Sequence, residues 1–356
     1  MATVYVVSDY GVLGKADENL VFTMKDGGRT IIPTAMTKQL AIIGQITITG
    51  PALRLLQRYR LRTSFISKNG FFNGALEFGP GKNVLMRKVQ FFKLEDEAWK
   101  SDFVRAIVGG KLRNQLAFIQ RIKRSGRADA DVQRVILSMK RYILQLEHET
   151  DIAVMRGLEG IGAKDYFSVF KHNLLSEKAV FRGRTTRPPE DPVNAVLSFL
   201  YTLLYQRVET TLLAEGLDPA VGYLHVPTYG AQSLAFDLME EFRVPVVDTL
   251  TCALFNLGML DTIHFREVSF EPKSDENPLP DEGEETPTFV ARKGVLLTAD
   301  GLRKVIEQFE KKIHERKQYP GLAQSVSWSR IIREQVLQFR RVLNGEAVQY
   351  QPFLHG

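Results

Sequence analysis

The chain has 356 residues, enough for one large domain or two of ordinary size. Hydrophobic residues make up 44% of it, a normal share for a globular protein, which excludes a chain that is disordered throughout. The formal net charge of +6 favours polyanionic partners such as nucleic acid.

The cysteine content and the apolar runs indicate a compartment. The single cysteine, Cys252, excludes an intrachain disulfide and fits a reducing cytoplasm, and its apolar neighbours favour a buried, inert thiol. The N-terminus MATVYVVSDYG lacks the basic and apolar regions of a signal peptide. The longest apolar stretches, such as VLSFLYTLLY, are too short to cross a bilayer. We therefore expect a cytoplasmic protein that does not enter a membrane.

Residues 1–75 are predicted to form a small β domain. Short runs rich in Val, Ile, Thr and Phe are separated by the turn signals DYG, KDGG and KNG. These runs are VYVVS, LVFTM, TIIP, AIIGQITIT and TSFIS. One helix is predicted at 51–59, where PALRLLQRY has apolar residues at helical spacing.

The rest of the chain has a helical pattern. Residues 76–90 are predicted to be a linker, and residues 91–356 a helical domain in which apolar positions recur with a period near 3.6. The later helix candidates lie at 193–214, 233–243, 247–260, 299–316 and 328–344. Asp191-Pro192 and Thr298 are predicted to start two of them. The expected fold class is α+β: a small N-terminal β-sandwich-like domain followed by a larger all-α domain.

An acidic, Pro-rich segment at 271–288 interrupts the helical part. It holds seven acidic residues and one lysine (EPKSDENPLPDEGEETPT), so the remaining chain is more basic than the total suggests. The composition predicts a mobile, solvated surface loop. A regulatory or partner-docking role is the alternative.

Four polar residues in apolar surroundings are the candidate catalytic group. Glu159 lies in RGLEGIG, a glycine-rich turn by its sequence, and His225 in GYLHVP, predicted as a turn. Asp237 and Glu240 are three residues apart in SLAFDLMEEF, so they share one face of a helix.

Carboxylates with an imidazole suit a divalent Mg or Mn ion. We therefore predict metal ligation by Glu159, His225 and Glu240. Asp237 would be a fourth ligand, a partner for His225, or a ligand to a second metal. Each residue alone is more often structural, and only their joint occurrence on a basic chain favours the metal site. A metal site on a basic protein points to phosphodiester chemistry on nucleic acid.

Basic side chains near these residues are candidate phosphate contacts, because guanidinium groups match phosphate oxygens. The candidate DNA-binding residues are Lys164, Arg182, Arg184, Arg187 and Arg243. A second basic run at 111–124 has an ordinary solvated helix face as its alternative reading.

Several stretches resemble the first CRISPR-associated (Cas) protein family, the metal-dependent endonucleases and integrases of spacer acquisition. The stretches are GLEGIGAKDYF at 157–167, RTTRPPEDPVNAVLSFLYTLL at 184–204 and GLDPAVGYLHVPTYGAQSLAFDLMEEFRVPVVD at 216–248. The N-terminal β pattern and VLLTADGLRKVIEQFE also fit the family, so the resemblance covers essentially the whole chain.

The resemblance implies a more specific function. The metal-binding residues of the family fall on Glu159, His225 and Glu240, and a further acidic position falls on Asp237. The family implies attack by the 3′-hydroxyl of a short prespacer duplex on a phosphodiester of the CRISPR repeat, which joins a new spacer to the array. It also implies a homodimer formed through the β domain, and a smaller CRISPR-associated companion protein that bridges two such dimers.

Two other function classes remain open at this point. One is a DNA-binding architectural module with a vestigial metal site, which would bind DNA without cleaving or joining it. The other is a helical metalloenzyme acting on a small phosphorylated metabolite. Metal-dependent turnover separates the first from an integrase, and competition by duplex DNA rather than nucleotides separates the second.

Overall fold

The N-terminal part of the chain forms a six-stranded mixed sheet. The computed structural model describes residues 2–67, 70, 72–76, 78, 83–186, 188–226, 232–270, 292–320 and 322–355. The strands of the sheet are β1 (Ala2–Ala16), β2 (Asn19–Met24), β3 (Arg29–Ile32), β4 (Thr37–Ile48), β5 (Arg62–Ile66) and β6 (Phe72–Leu76), with helix α1 (Gly50–Arg58) between β4 and β5. Their order is β3-β2-β1-β4-β5-β6.

This sheet confirms the predicted β domain. Strand β1 pairs antiparallel with β2 and parallel with β4, and its register against β4 shifts between Val7 and Tyr10. A Cβ at Gly44 would stand 1.8 Å from the carbonyl oxygen of Ser8, so only glycine fits opposite this bulge. All six strands belong to one continuous sheet. Its buried face packs on α1 through side chains such as Leu55.

The C-terminal part is mainly helical, as predicted. Its helices are α2 (Val84–Glu95), α3 (Glu97–Arg124), α4 (Ala130–Glu147), α5 (Ile152–Val169), α6 (Pro192–Ala214), α7 (Ser233–Phe242), α8 (Thr249–Asn256), α9 (Ala299–His314) and α10 (Trp328–Leu343). A π-helical segment, Arg243–Asp248, joins α7 to α8. The predicted caps are confirmed: Asp191 accepts from the Asn194 amide at 2.7 Å, and Thr298 accepts from the Gly301 amide at 3.2 Å.

Two sequence predictions need correction. Helix α2 starts at Val84, inside the range assigned to the linker. Its outer face carries exposed Leu85 and Phe92 where polar residues would be usual, which obscured the helical pattern. The C-terminal part is also not all-α, because β7 (Phe265–Phe270) and β8 (Arg292–Leu297) form an antiparallel hairpin and β9 (Arg316–Lys317) pairs with β10 (Val326–Ser327). The segment 271–288 lies outside the described residues.

Buried and partly buried polar contacts join the two parts of the molecule. The Tyr5 hydroxyl of β1 donates to Glu310 of α9 at 2.6 Å, and Arg207 of α6 contacts the same carboxylate at 2.5 Å. Arg62 of β5 pairs with Glu209 of α6 at 2.6 Å. Helix α6 thus contacts the sheet along one side and the helical core along the other.

The structure also bears on two expectations drawn from the composition, which concern the single cysteine and the apolar stretches. Cys252 is buried in α8, as predicted, and burial raises the pKa of its thiol, which disfavours the reactive thiolate. Over the described ranges, no helix combines the length and apolar character needed to cross a bilayer.

Candidate active site

Three helices bring two carboxylates to one ammonium group. Lys111 of α3 makes a short ion pair with Glu159 of α5, and its Nζ lies 2.6 Å from Oε2 of Glu240 on α7. A Cβ at Gly162 would stand 2.4 Å from a Leu112 methyl, so this glycine lets α5 approach α3 beside the cluster. Glu159 itself lies within helix α5, so the prediction of a turn at that residue was wrong.

The cluster is largely removed from solvent. The side chains of Lys111 and Glu240 are 6% and 2% exposed, whereas that of Glu159 is 26% exposed. Arg243 adds a second cation 3.1 Å from Oε1 of Glu240. Burial alone would raise the pKa of Glu240, but the charges of Arg243, Lys111 and His225 outweigh it and hold that pKa below its usual value. Glu240 is thus an anion inside the protein.

Asp237 holds the loop that carries His225. Its carboxylate accepts the backbone amides of Tyr223, Leu224 and His225 at 2.6, 3.0 and 2.9 Å. It also lies 2.7 Å from Nδ1 of the His225 ring. Of the three roles predicted for Asp237, these contacts match the partner of His225, which leaves Nε2 as the remaining nitrogen of the imidazole.

The protonation of His225 reflects this partner. Burial works to lower the pKa of the imidazole, but the hydrogen bond and charge of Asp237, with the charge of Glu240, raise it above 6.5 overall. His225 remains partly accessible, since its side chain is 42% exposed. An accessible imidazole is thus bound to Asp237, which lies one helical turn before Glu240 on α7.

The predicted metal ligands converge in part. Glu159 and Glu240 meet at the Lys111 ammonium, whereas His225 is bound to Asp237. Among the residues that the structure describes, no three His, Cys, Asp or Glu side chains stand close enough to hold a metal ion. The ammonium of Lys111 lies between the two carboxylates, at the point where a cation would bind.

A second buried carboxylate lies behind the cluster and was missed from the sequence. Asp248 accepts the hydroxyl of Tyr201 at 2.6 Å and that of Tyr166 at 2.7 Å. The guanidinium groups of Arg243 and Arg184 lie 4.8 and 5.5 Å from the Tyr201 ring centroid. The two tyrosines therefore link the π-helical segment to α5 and α6.

Asp248 gives a pH prediction. Burial raises its pKa to about 6, against the hydrogen bonds of the two tyrosines. Because the folded pKa lies above the unfolded value, this group stabilises the fold below pH 4 and loses that contribution as the pH rises through 6. The unfolding free energy of Asp248→Asn should thus rise by about 3 kcal/mol relative to that of wild type as the pH increases from 4 to 7. Urea unfolding of both proteins across this pH range measures the change. A difference in unfolding free energy that stays constant with pH would contradict the prediction.

The predicted DNA contacts fall into two groups. Lys164 and Arg182 are exposed, as phosphate contacts require. Arg184 donates to Asn194 at 2.9 Å and to Ser198 at 3.1 Å, and Arg243 pairs with Glu240, so both have structural partners. Arg187 lies outside the described residues. Arg182 and Arg184 line a cleft of about 690 Å³ at the start of α6.

Fold and site together define a two-part α+β protein that carries a lysine-bridged carboxylate pair on its helical part. The chain belongs to the Cas1 family: the family model described as CRISPR associated protein Cas1 matches residues 4–272. This confirms the resemblance found in the sequence.

Known relatives cover nearly the whole chain. A CRISPR-associated endonuclease Cas1 of Thermus thermophilus is 31% identical over 99% of this chain and 97% of its own length. A Cas1 protein from Thermotoga maritima has the same fold, with a TM-score of 0.78, 23% identity and full coverage of both chains. A casposase bound to an integration product superposes with a TM-score of 0.79 at 19% identity, over 99% of this chain and 93% of its own.

Proposed function

We propose that this protein is a divalent-metal-dependent DNA endonuclease and integrase that inserts new spacers into a CRISPR array. The observation that carries the proposal is the convergence of Glu159 and Glu240 on one cationic position, in a chain that belongs to the Cas1 family over most of its length. The name of the Thermus thermophilus relative, an endonuclease, supports the same class of reaction.

The donor chemistry of Glu159, Glu240 and His225 suits Mg²⁺ or Mn²⁺. Two carboxylates and one imidazole nitrogen are ligands that hard and borderline divalent ions accept. Glu159, Glu240 and Nε2 of His225 would hold the ion. When bound, it would supply charge stabilisation at a phosphoryl oxygen and at the leaving 3′-oxygen.

The protein's own side chains then orient the reactants. Asp237 fixes the loop and the ring orientation of His225. Arg243 keeps Glu240 ionised. Exposed Lys164 and Arg182 bind backbone phosphates of the duplex without reading bases. In the joining step, the 3′-hydroxyl oxygen of the prespacer forms a bond to phosphorus while the repeat strand's own 3′-oxygen leaves, so the number of phosphodiesters is conserved.

The proposal includes the partners expected from the sequence. These are double-stranded DNA (the prespacer and the repeat), a second copy of this chain bound through the β domain, and a small CRISPR-associated companion protein. Similar structures support the DNA and the companion protein, since one is a casposase bound to an integration product and another is a Cas6-RT-Cas1–Cas2 complex. This chain covers 36% of the matched chain in that complex.

A joining assay tests the proposal. A labelled prespacer duplex with free 3′-hydroxyls is incubated with a supercoiled repeat-bearing plasmid, in Mn²⁺ or in EDTA. We expect transfer of label to the plasmid only with the metal, and competition by unlabelled duplex but not by nucleotides. DNA binding with no product in any divalent metal would instead identify an architectural module, and competition by nucleotides a small-metabolite enzyme.

Lys111 is predicted to compete with the metal. Lys111→Met leaves Glu159 and Glu240 facing each other, and two like charges at such distances repel by about 1–4 kcal/mol. We expect Mn²⁺ to bind the variant about tenfold more tightly, while the metal-free protein loses about 3 kcal/mol of unfolding free energy.

Titration of free Mn²⁺ by electron paramagnetic resonance, and unfolding in EDTA, measure the two effects. Lys123→Met is the control, because Lys123 is an exposed lysine of the same helix. Loss of Mn²⁺ binding in Lys111→Met would show that the ammonium assists the metal rather than excluding it.

A further inference from the structure

The last residues of the chain fold back against the helices of the charge cluster. Residues 350–355, here called the tail, follow α10, and Tyr350 and Phe353 are buried in the main core. A Cβ at Gly110 would stand 2.5 Å from Cβ of Pro352. The tail therefore lies directly on the backbone of α3, at the residue before Lys111.

A buried carboxylate joins the tail to α7. Glu241, the neighbour of Glu240, accepts the Tyr350 hydroxyl at 2.7 Å and the side-chain amide of Gln335 at 2.8 Å. It also accepts the backbone amide of Phe353. These contacts bind α7 to α10 and to the tail next to a proposed metal ligand.

Asn114 joins the tail to α3 and α7 together. It lies three residues after Lys111, almost one helical turn. Its side-chain amide donates to the carbonyls of Glu241 and Phe353, both at 2.9 Å, and its side-chain oxygen accepts the His355 amide at 2.8 Å. One side chain thus connects the helix of Lys111, the helix of Glu240 and the tail.

We propose that the tail is a positioning element of the active site. Through Asn114 and Glu241 it fixes α3 against α7, which sets the separation of Lys111 and Glu240 and thereby the geometry of the proposed metal site. The metal-binding part of this inference rests on the proposed function. None of the tail residues is assigned contact with DNA or metal, so the tail acts through the helices it holds.

Two variants release the tail in different ways. Asn114→Leu keeps the number and branching of the side-chain heavy atoms but removes all three hydrogen bonds, and truncation after Gln349 removes the tail itself. The control is Leu55→Ala, which destabilises the separate core of the β domain. A loss of stability alone would affect all three proteins alike.

The first measurement is Mn²⁺ affinity at a temperature where every variant is folded. Since changes in groups that orient metal ligands weaken metal binding about 10- to 100-fold, we expect that loss in both tail variants and wild-type affinity in Leu55→Ala. Wild-type affinity in the tail variants, or an equal loss in the control, would overturn the proposal.

The second measurement is amide hydrogen exchange, which needs no metal. For the tail variants we expect faster exchange in α7 and in the 110–118 part of α3. For the control we expect wild-type exchange rates in both segments. Unchanged exchange there would overturn the tail's role. If wild type itself binds no Mn²⁺, the proposed function fails, and exchange alone then decides whether the tail positions these helices.

Discussion

Replacing Glu240 by alanine is expected to lower the rate of DNA joining about a thousandfold. The residue supplies one of two carboxylates at the proposed metal position, and the loss of about 4 kcal/mol of charge stabilisation corresponds to that factor. Glu159→Ala should lose as much activity with less loss of stability, because Glu159 is the more exposed of the two. His225→Ala should also lose joining.

Two variants control this prediction. Glu240→Gln keeps the shape of the buried side chain and removes its charge, so a loss of joining without unfolding assigns the effect to the charge. Glu177→Ala removes an exposed carboxylate outside the cluster and should join DNA at the wild-type rate. Full joining activity in Glu159→Ala, His225→Ala and Glu240→Ala would show that the active site lies elsewhere.

Removal of the Asp237 carboxylate should have the largest effect on stability. Asp237→Ala leaves three backbone amides and the His225 ring without their acceptor, which is expected to cost about 3–5 kcal/mol of unfolding free energy. Thermal and urea unfolding measure this loss. Asp165→Asn is the control, because Asp165 accepts one tyrosine hydroxyl, at 2.9 Å, in a partly exposed setting.

The same residue should control the protonation of the imidazole. Asp237→Asn keeps the side-chain shape and removes the charge that raises the pKa of His225, so that pKa should fall. The ring proton shifts of His225, followed by NMR against pH in metal-free protein, report it directly. An unchanged titration would show that Asp237 holds the backbone of the loop but not the charge of the ring.

Local chemistry explains why much of the fold could be predicted. Helix α6 begins with the Asp191-Pro192 cap that the sequence indicates, and α9 begins after Thr298 for the same reason. Helix α2 escaped prediction because its outer face mixes exposed apolar residues such as Leu85 and Phe92 with charged ones such as Lys88. Glu159 was assigned to a turn because its glycines suggested one, whereas Gly162 in fact permits close packing of α5 on α3.

The candidate site could be predicted from the sequence only in part. Glu159, Glu240 and the Asp237–His225 pair lie in recognisable stretches, so their residue types and the family resemblance pointed to them. Lys111 was visible only as part of a basic run, and Asn114, Asp248 and Glu241 gave no signal. Their contacts join residues such as Asn114 and Phe353 that are 239 positions apart, and only the folded chain brings them together.

Helix α6 has a consequence for how this protein can accommodate DNA. Its 23 residues extend about 35 Å, and the same helix bears the Arg62–Glu209 pair, contacts Glu310 and presents the Tyr201 ring to Arg243. The sheet and the helices of the candidate site are thereby expected to move as one rigid body. In the proposed homodimer, a bent or widened DNA target would then be followed by rotation of the two whole copies against each other, with strain concentrated at the contacts between them.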